Sequence, residues 1–194
     1  LPAITGTNLT GSEAYYTGLL GTGTSYVAGD VLSYDALETY PITLYIYDTV
    51  GTAPNECSDE ESFALTINAT PDITDLVDVA GVCDSYTLPA ITGTNLTGSE
   101  AYYTGPLGTG TSYAVGDVLS FDASAVYPIT LYIYDSIGIA PNVCSDEESF
   151  ALTINATPDI TDLVDVAGVC GSYTLPAITG TNLTGSEAYY TGSL

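Results

Sequence analysis

The string LPAITGTNLTGSEAYYTG begins at Leu1, again at Leu88 and again at Leu175, a constant spacing of 87 residues. A tandem repeat of that length governs every other reading, because each copy must reach the same fold and bury its apolar face within itself or against a neighbour. Residues 1–87 and 88–174 differ at 12 positions. Most exchanges are mild, such as Tyr34 to Phe121, Thr49 to Ser136 and Val50 to Ile137, so one fold must serve both copies. The third copy breaks off at Leu194, and the chain reads as two and a fraction units of an array. An 87-residue unit suits one small domain, close to the lower limit at which a single core suffices.

Apolar alternation of period two dominates each unit. In Ile129-Thr-Leu-Tyr-Ile-Tyr134, Ile129, Leu131 and Ile133 share one face and Thr130, Tyr132 and Tyr134 the other, the pattern of a half-buried strand. Phe150, Leu152 and Ile154 alternate in the same way, as do Tyr86, Leu88 and Ala90, where Pro89 implies a sheet edge or a bulge. Further strands are expected over 100–104 and 117–121. Turn signals recur at Gly105 to Gly110, Gly116-Asp117, Tyr127-Pro128 and Gly138 to Asn142. Gly21-Thr-Gly23 reads as a hairpin loop, since no lysine follows to make it a phosphate loop. No stretch has helical periodicity. Short strands with turns at this spacing predict an all-β chain of tandem β-sandwich domains. The joint is expected at Asn68-Ala-Thr-Pro71 and Asn155-Ala-Thr-Pro158, which divides the chain into 1–70, 71–157 and the start of a third repeat at 158–194.

Charge excludes several classes of function. The chain has 24 Asp and Glu and no Lys, Arg or His. Nucleic acid and anionic membrane surfaces are poor partners, because both are held by cations. A Ser-His-Asp triad, a Schiff-base lysine and an arginine clamp are impossible. Only paired carboxylates remain, and Glu60-Glu61 or Glu147-Glu148 point to opposite faces of a strand, so no enzyme is expected. No apolar run is long enough to span a bilayer as a helix.

The carboxylates present a choice. Asp59, Glu60 and Glu61, with Asp72, Asp75 and Asp78, offer hard oxygen ligands suited to Ca²⁺, although the spacing is not that of an EF-hand. The alternative is a solvated acidic surface that keeps neighbouring units apart. The 17 tyrosines pose a second choice, between cross-strand packing and a sugar-stacking surface. Asn8, Asn68, Asn95, Asn155 and Asn182 open N-x-Thr sequons and read as turn residues. Four cysteines recur in register, Cys57 with Cys144 and Cys83 with Cys170. Without histidine or a CxxC pair they point to disulfides in an oxidising compartment.

The segments CDSYTLPAITGTNLTGSEAYYTGPLGTGTSY, GDVLSF, ITLYIYD and PNVCSDEESFALTI of the second unit together resemble the Ig-like repeats of very large Bacteroidota surface proteins, including SprB-like gliding-motility adhesins. The resemblance covers the whole chain. It implies tandem Ig-like domains, export by type IX secretion, an extracellular place on the bacterial surface, and a role as filament or adhesin. It also implies a disulfide frame: in an Ig-like sandwich the first and last strands can run parallel side by side. That favours Cys83 with Cys144, leaving Cys57 and Cys170 to cysteines outside this chain, over the alternative Cys57 with Cys83. Asp48-Thr49-Val50 and Asp135-Ser136-Ile137 resemble the O-glycosylation sites of such proteins, which places glycans on Thr49 and Ser136 in loops just past a strand. One departure stands out, Gly171 after Cys170 where Asp84 follows Cys83. The function expected is a structural repeat, a stalk or filament of a surface adhesin, whose partners are neighbouring repeats and an external surface or glycan. The alternatives are a calcium-dependent carbohydrate-binding module and a fibre subunit that packs against identical chains.

Overall fold

Alternation along the strands builds the core of the second repeat. The computed structural model describes residues 1–192, and among them the chain is all-β, with no helix. Two units separate, one from Leu1 to Ala69 and one from Thr70 onward. That boundary falls inside the expected Asn68–Pro71 joint. The residues from 158 onward, expected as the start of a third repeat, are grouped with the second unit.

Unit one holds β1 (Ala14–Gly18), β2 (Thr22–Tyr26), β3 (Ile42–Val50) and β4 (Cys57–Leu65) in one antiparallel sheet of order β2-β1-β3-β4. Unit two contains β5 (Asp72–Ile73), β6 (Val79–Cys83), β7 (Ser85–Thr87), β8 (Gly93–Thr94), β9 (Ala101–Gly105), β10 (Thr109–Tyr113), β11 (Val118–Ser120), β12 (Ile129–Ile139), β13 (Asn142–Asn155), β14 (Asp159–Ile160) and β15 (Gly180–Thr181). Its main sheet runs β10-β9-β12-β13-β6, with β7-β11 and β5-β8 as separate ribbons. The first four strands repeat those of unit one in order and register: Ala14 faces Tyr47 as Ala101 faces Tyr134. The fifth, β6, is added parallel to β13, with Val79 opposite Leu152 and Cys83 opposite Asn155.

Ile129, Leu131 and Ile133 face Leu152, Phe150 and Glu148 across β12 and β13. Together with Ile73, Leu88, Tyr102 and Ile154, the apolar members of this face make one core. Tyr86 and Leu119 from the β7-β11 ribbon pack on it, so two sheets enclose a single apolar layer, the arrangement of a β-sandwich. The Tyr102 ring lies edge-on to Phe150, centroids 6.2 Å apart, and its hydroxyl donates to the Pro89 carbonyl at 3.0 Å. Burial, with Tyr86 nearby, pushes that hydroxyl up to about 12. Tyr15 and Tyr189 donate likewise to Pro2 and Pro176, at 2.9 and 3.1 Å. The string LPAITG thus closes a loop against its own copy's tyrosine at all three occurrences.

Two local expectations need correction, and two strands carried no signal. The strand containing Tyr86 ends at Thr87, before Pro89, so the proline neither caps an edge nor makes a bulge within it. The turn expected over Gly138 to Asn142 shrinks to Ala140-Pro141, because β12 continues to Ile139. Strands β6 and β10 had no clear alternating signature, since glycine interrupts both. The sequon asparagines Asn8, Asn95 and Asn182 do occupy turns, with φ of 58°, 54° and 56°, a left-handed conformation that asparagine tolerates.

Candidate functional site: the acidic seam and the tyrosine face

A chain without basic side chains must find other partners for its carboxylates, and here the partners are backbone amides. Asp135 is buried, 1% exposed. It accepts hydrogen bonds from Thr97 N at 2.8 Å and Ser136 N at 2.9 Å, and from the Thr97 hydroxyl. Asp146 accepts from Ile73 N at 2.6 Å, Asp78 from Ala151 N at 2.7 Å, and Glu147 from Leu107 N. Charge-assisted bonds of this kind are about twice as strong as neutral ones. The acidic residues are therefore clasps between segments as well as a solvated surface. In unit one Asp48 takes the role of Asp135, and the Thr10 hydroxyl and amide hold its carboxyl below the ordinary value.

One seam of carboxylates is unfavourable. Asp72 and Asp75, before β6, lie against Asp146 and Glu148 on the inward face of β13. Burial pushes the Glu148 carboxyl up, the charges on Asp75 and Asp146 push it further, and protonated Glu148 donates a hydrogen bond to Asp75. A carboxyl whose pKa is raised by folding costs stability once ionised; the cost is absent below the unfolded pKa and complete above the folded one. Glu148→Gln should therefore stabilise unit two near neutral pH, by under about 1 kcal/mol because water still screens the site. The advantage should vanish as pH falls through the carboxylate range. Thermal melts of both proteins at pH 7 and pH 3.5 measure the difference, and an advantage unchanged at the lower pH would contradict the assignment.

The calcium set expected from sequence is divided between the two units. Asp59, Glu60 and Glu61 belong to unit one, where Asp59 and Glu61 face Asp48 and Ile46 across β4 while Glu60 turns to the other face and accepts from Leu20 N. Asp72, Asp75 and Asp78 belong to unit two, and Asp78 is occupied by Ala151 N. Among the described residues no three Cys, Asp or Glu side chains converge to hold a metal ion. Strand alternation explains this, since three consecutive residues cannot all point at one ion. The true neighbours of Asp72 and Asp75 are Asp146 and Glu148, the 87-residue equivalents of Asp59 and Glu61. The shift by one repeat was the signal that could have found them.

The disulfide frame is also corrected. The strand that Cys83 was expected to open, β7, pairs with β11 rather than with the last strand; β6 runs parallel to β13, but Cys83 closes β6 opposite Asn155 whereas Cys144 lies opposite Ile137 near the hairpin tip. Eleven residues of β13 separate Asn155 from Cys144, about 36 Å at the rise of an extended strand. A bridge needs Cα atoms within roughly 7 Å. All four cysteines are unpaired; Cys57, Cys83 and Cys170 are exposed and Cys144 is half-buried.

Thr49 and Ser136 do not sit in loops. They lie inside β3 and β12, opposite Ser58 and Ser145, and both are half-buried. The Thr49 hydroxyl donates to Glu56 at 2.8 Å. The aspartate before each is a clasp, Asp48 for Thr10 and Asp135 for Thr97.

Tyr16 with Tyr47, and Tyr103 with Tyr134, pack edge to face on the outward side of the sheet, centroids 6.3 and 6.5 Å apart. The β9–β10 loop crosses Tyr134 so closely that a Cβ on Gly108 would lie 2.9 Å from the ring. These tyrosines cover one another and their own loops, which is cross-strand packing. Asp84 explains its exchange for Gly171. Both residues are left-handed, with φ of 63° and 83°. The Asp84 carboxylate accepts from the Thr157 hydroxyl at 2.6 Å and amide at 2.9 Å, bonds that hold its pKa down and that glycine forgoes. No protein-family model, curated protein or solved structure matches the chain.

Proposed function

We propose that the chain is a structural repeat, a stalk or filament segment of a large extracellular bacterial surface adhesin. The observation that carries the reading is repetition without a reactive centre. Two copies 87 residues apart use the same strands in the same register, their carboxylates are engaged by backbone amides, and their tyrosines cover one another. A repeat of this kind contributes length, and uncompensated negative charge keeps successive units soluble and apart. The sheet order β10-β9-β12-β13-β6, with a parallel outer strand and a β7-β11 ribbon on the other side of the core, supports assigning each complete unit to the Ig-like sandwiches. The role in gliding motility and the type IX route follow from the resemblance.

Antibodies raised against one unit should label thread-like projections on intact producing cells when seen by immunogold electron microscopy. Several gold particles should fall along each thread. Label confined to the cell interior would reject the proposal, and a single particle at the thread tip would turn it into a terminal binding module.

A further inference from the structure

Tension along a tandem chain enters and leaves unit two through its joints, at Asn68–Pro71 and Asn155–Pro158. What ties those two points together decides how the unit carries load. Residues 73–84 run alongside residues 146–157 in the same direction, and the contacts keep a separation of 73 residues from one end of the row to the other. Ile73 N donates to Asp146 at 2.6 Å, Ala151 N donates to Asp78 at 2.7 Å, Val79 lies opposite Leu152, and the Thr157 amide and hydroxyl donate to Asp84 at 2.9 and 2.6 Å. A parallel ladder, β6 on β13, is thus flanked on both sides by bonds between carboxylates and amides. At the entry, Ile73 is buried in the core, and the Asn95 side chain donates to the Thr70 carbonyl at 3.1 Å. At the exit, Asp84 N donates to the Asn155 carbonyl at 2.8 Å.

Direction decides how these bonds share a load. The chain enters at the start of the first segment and leaves at the end of the second. Because the two segments run parallel, those points lie at opposite ends of the row, and a pull on the joints slides one segment along the other. Sliding by one residue, about 3.3 Å, breaks every bond in the row together and draws Ile73 from the core. In an antiparallel pair entry and exit would lie at the same end, and the bonds would open one at a time. We propose that unit two is a load-bearing module in which Ile73–Asp84 and Asp146–Thr157 form a shear clamp between its joints, closed at the exit by Asp84. Asp84 and Gly171, its equivalent, are both left-handed, so exchange at this position removes the clasp and leaves the backbone conformation. The inference rests on the stalk reading for the source of the load, whereas the resistance belongs to the sheet itself. A clamp found in a protein that labels no threads would remove the stalk and keep the clamp.

Single-molecule pulling on the full chain, with its four cysteines replaced by serine, tests the clamp. Handles on the two chain ends load the row in shear. One handle on the amino end and one on Asn142→Cys, an exposed position at the β12–β13 turn, pull from one end of the row and peel it. In the shear geometry, release of residues 71–155 lengthens the chain by roughly 25–30 nm, which identifies the event. At the same tension, unfolding should be at least about tenfold slower in shear than in peeling, because forced unfolding follows the barrier that the shared bonds set. Asp84→Gly should unfold at least about tenfold faster in shear, the effect of losing a charge-assisted hydrogen bond. Its peeling rate should stay close to the parent's, since peeling begins at the other end. Asp84→Asn keeps one acceptor oxygen and should recover part of the shear resistance. Equal rates in the two pulling geometries, or an Asp84→Gly chain that unfolds in shear as the parent does, would overturn the proposal.

Discussion

Ile73→Ala should destabilise unit two by about 2–5 kcal/mol, the range for removing most of a buried aliphatic side chain, while Ile160→Ala should change stability by no more than about 0.5 kcal/mol. Both residues occupy the same place in the same sequence, Pro-Asp-Ile-Thr-Asp-Leu, yet Ile73 is 2% exposed and Ile160 is 55% exposed. Ile73 packs among Leu88, Tyr102 and Phe150 in the core, and its loss leaves a cavity that β-strands on both sides cannot collapse to fill. Since small domains have only about 5–15 kcal/mol in total, the larger effect amounts to a considerable fraction of the unit's stability. Denaturant melts followed by tyrosine fluorescence, read through the midpoint at constant slope, measure both. Equal effects at the two positions would mean that the pre-strand segment does not hold unit two together.

Asp135→Ala is expected to cost about 1.5–3 kcal/mol, the range for hydrogen bonds to a charged group, because it strips the buried amides of Thr97 and Ser136 of their acceptor. Asp135→Asn should recover part of this loss, since its carbonyl oxygen can still accept one amide while its NH₂ group meets donors. The same replacement at Asp48 should be milder, because that carboxylate is only half-buried and water can replace it. The pair of measurements separates a structural aspartate from a glycosylation signal. If native protein carrying Asp135→Ala melted as the parent does and lost mass, the clasp would not matter and the glycan reading would return.

Much of the architecture was legible in the residues because two simple signals act locally. Period-two alternation placed Ile129, Leu131, Ile133, Phe150, Leu152 and Ile154 on inward faces, and all but half-buried Ile129 are buried. The Asn-Ala-Thr-Pro joint marked the boundary between units. Both depend on a few neighbouring residues, and backbone geometry turns them directly into faces and breaks. The strand expected beside the last one was that opened by Cys83, but β7 pairs with β11 and the place beside β13 is taken by β6, which Cys83 closes.

What the chain itself determined is therefore the repeat, the all-β class, the inward faces, and a chemistry restricted to carboxylates, hydroxyls and amides. Tertiary structure alone decided which carboxylates meet, because Asp72 and Asp146 are 74 residues apart in sequence and become neighbours only through the pairing of β6 with β13. It decided against the Cys83–Cys144 bridge, since adjacency of two strands says nothing about register along them. It also decided that Ile73, in a stretch with no strand pattern of its own, belongs to the core. Burial is a property of a segment together with the surface it covers, and that surface is supplied by strands that arrive later in the chain.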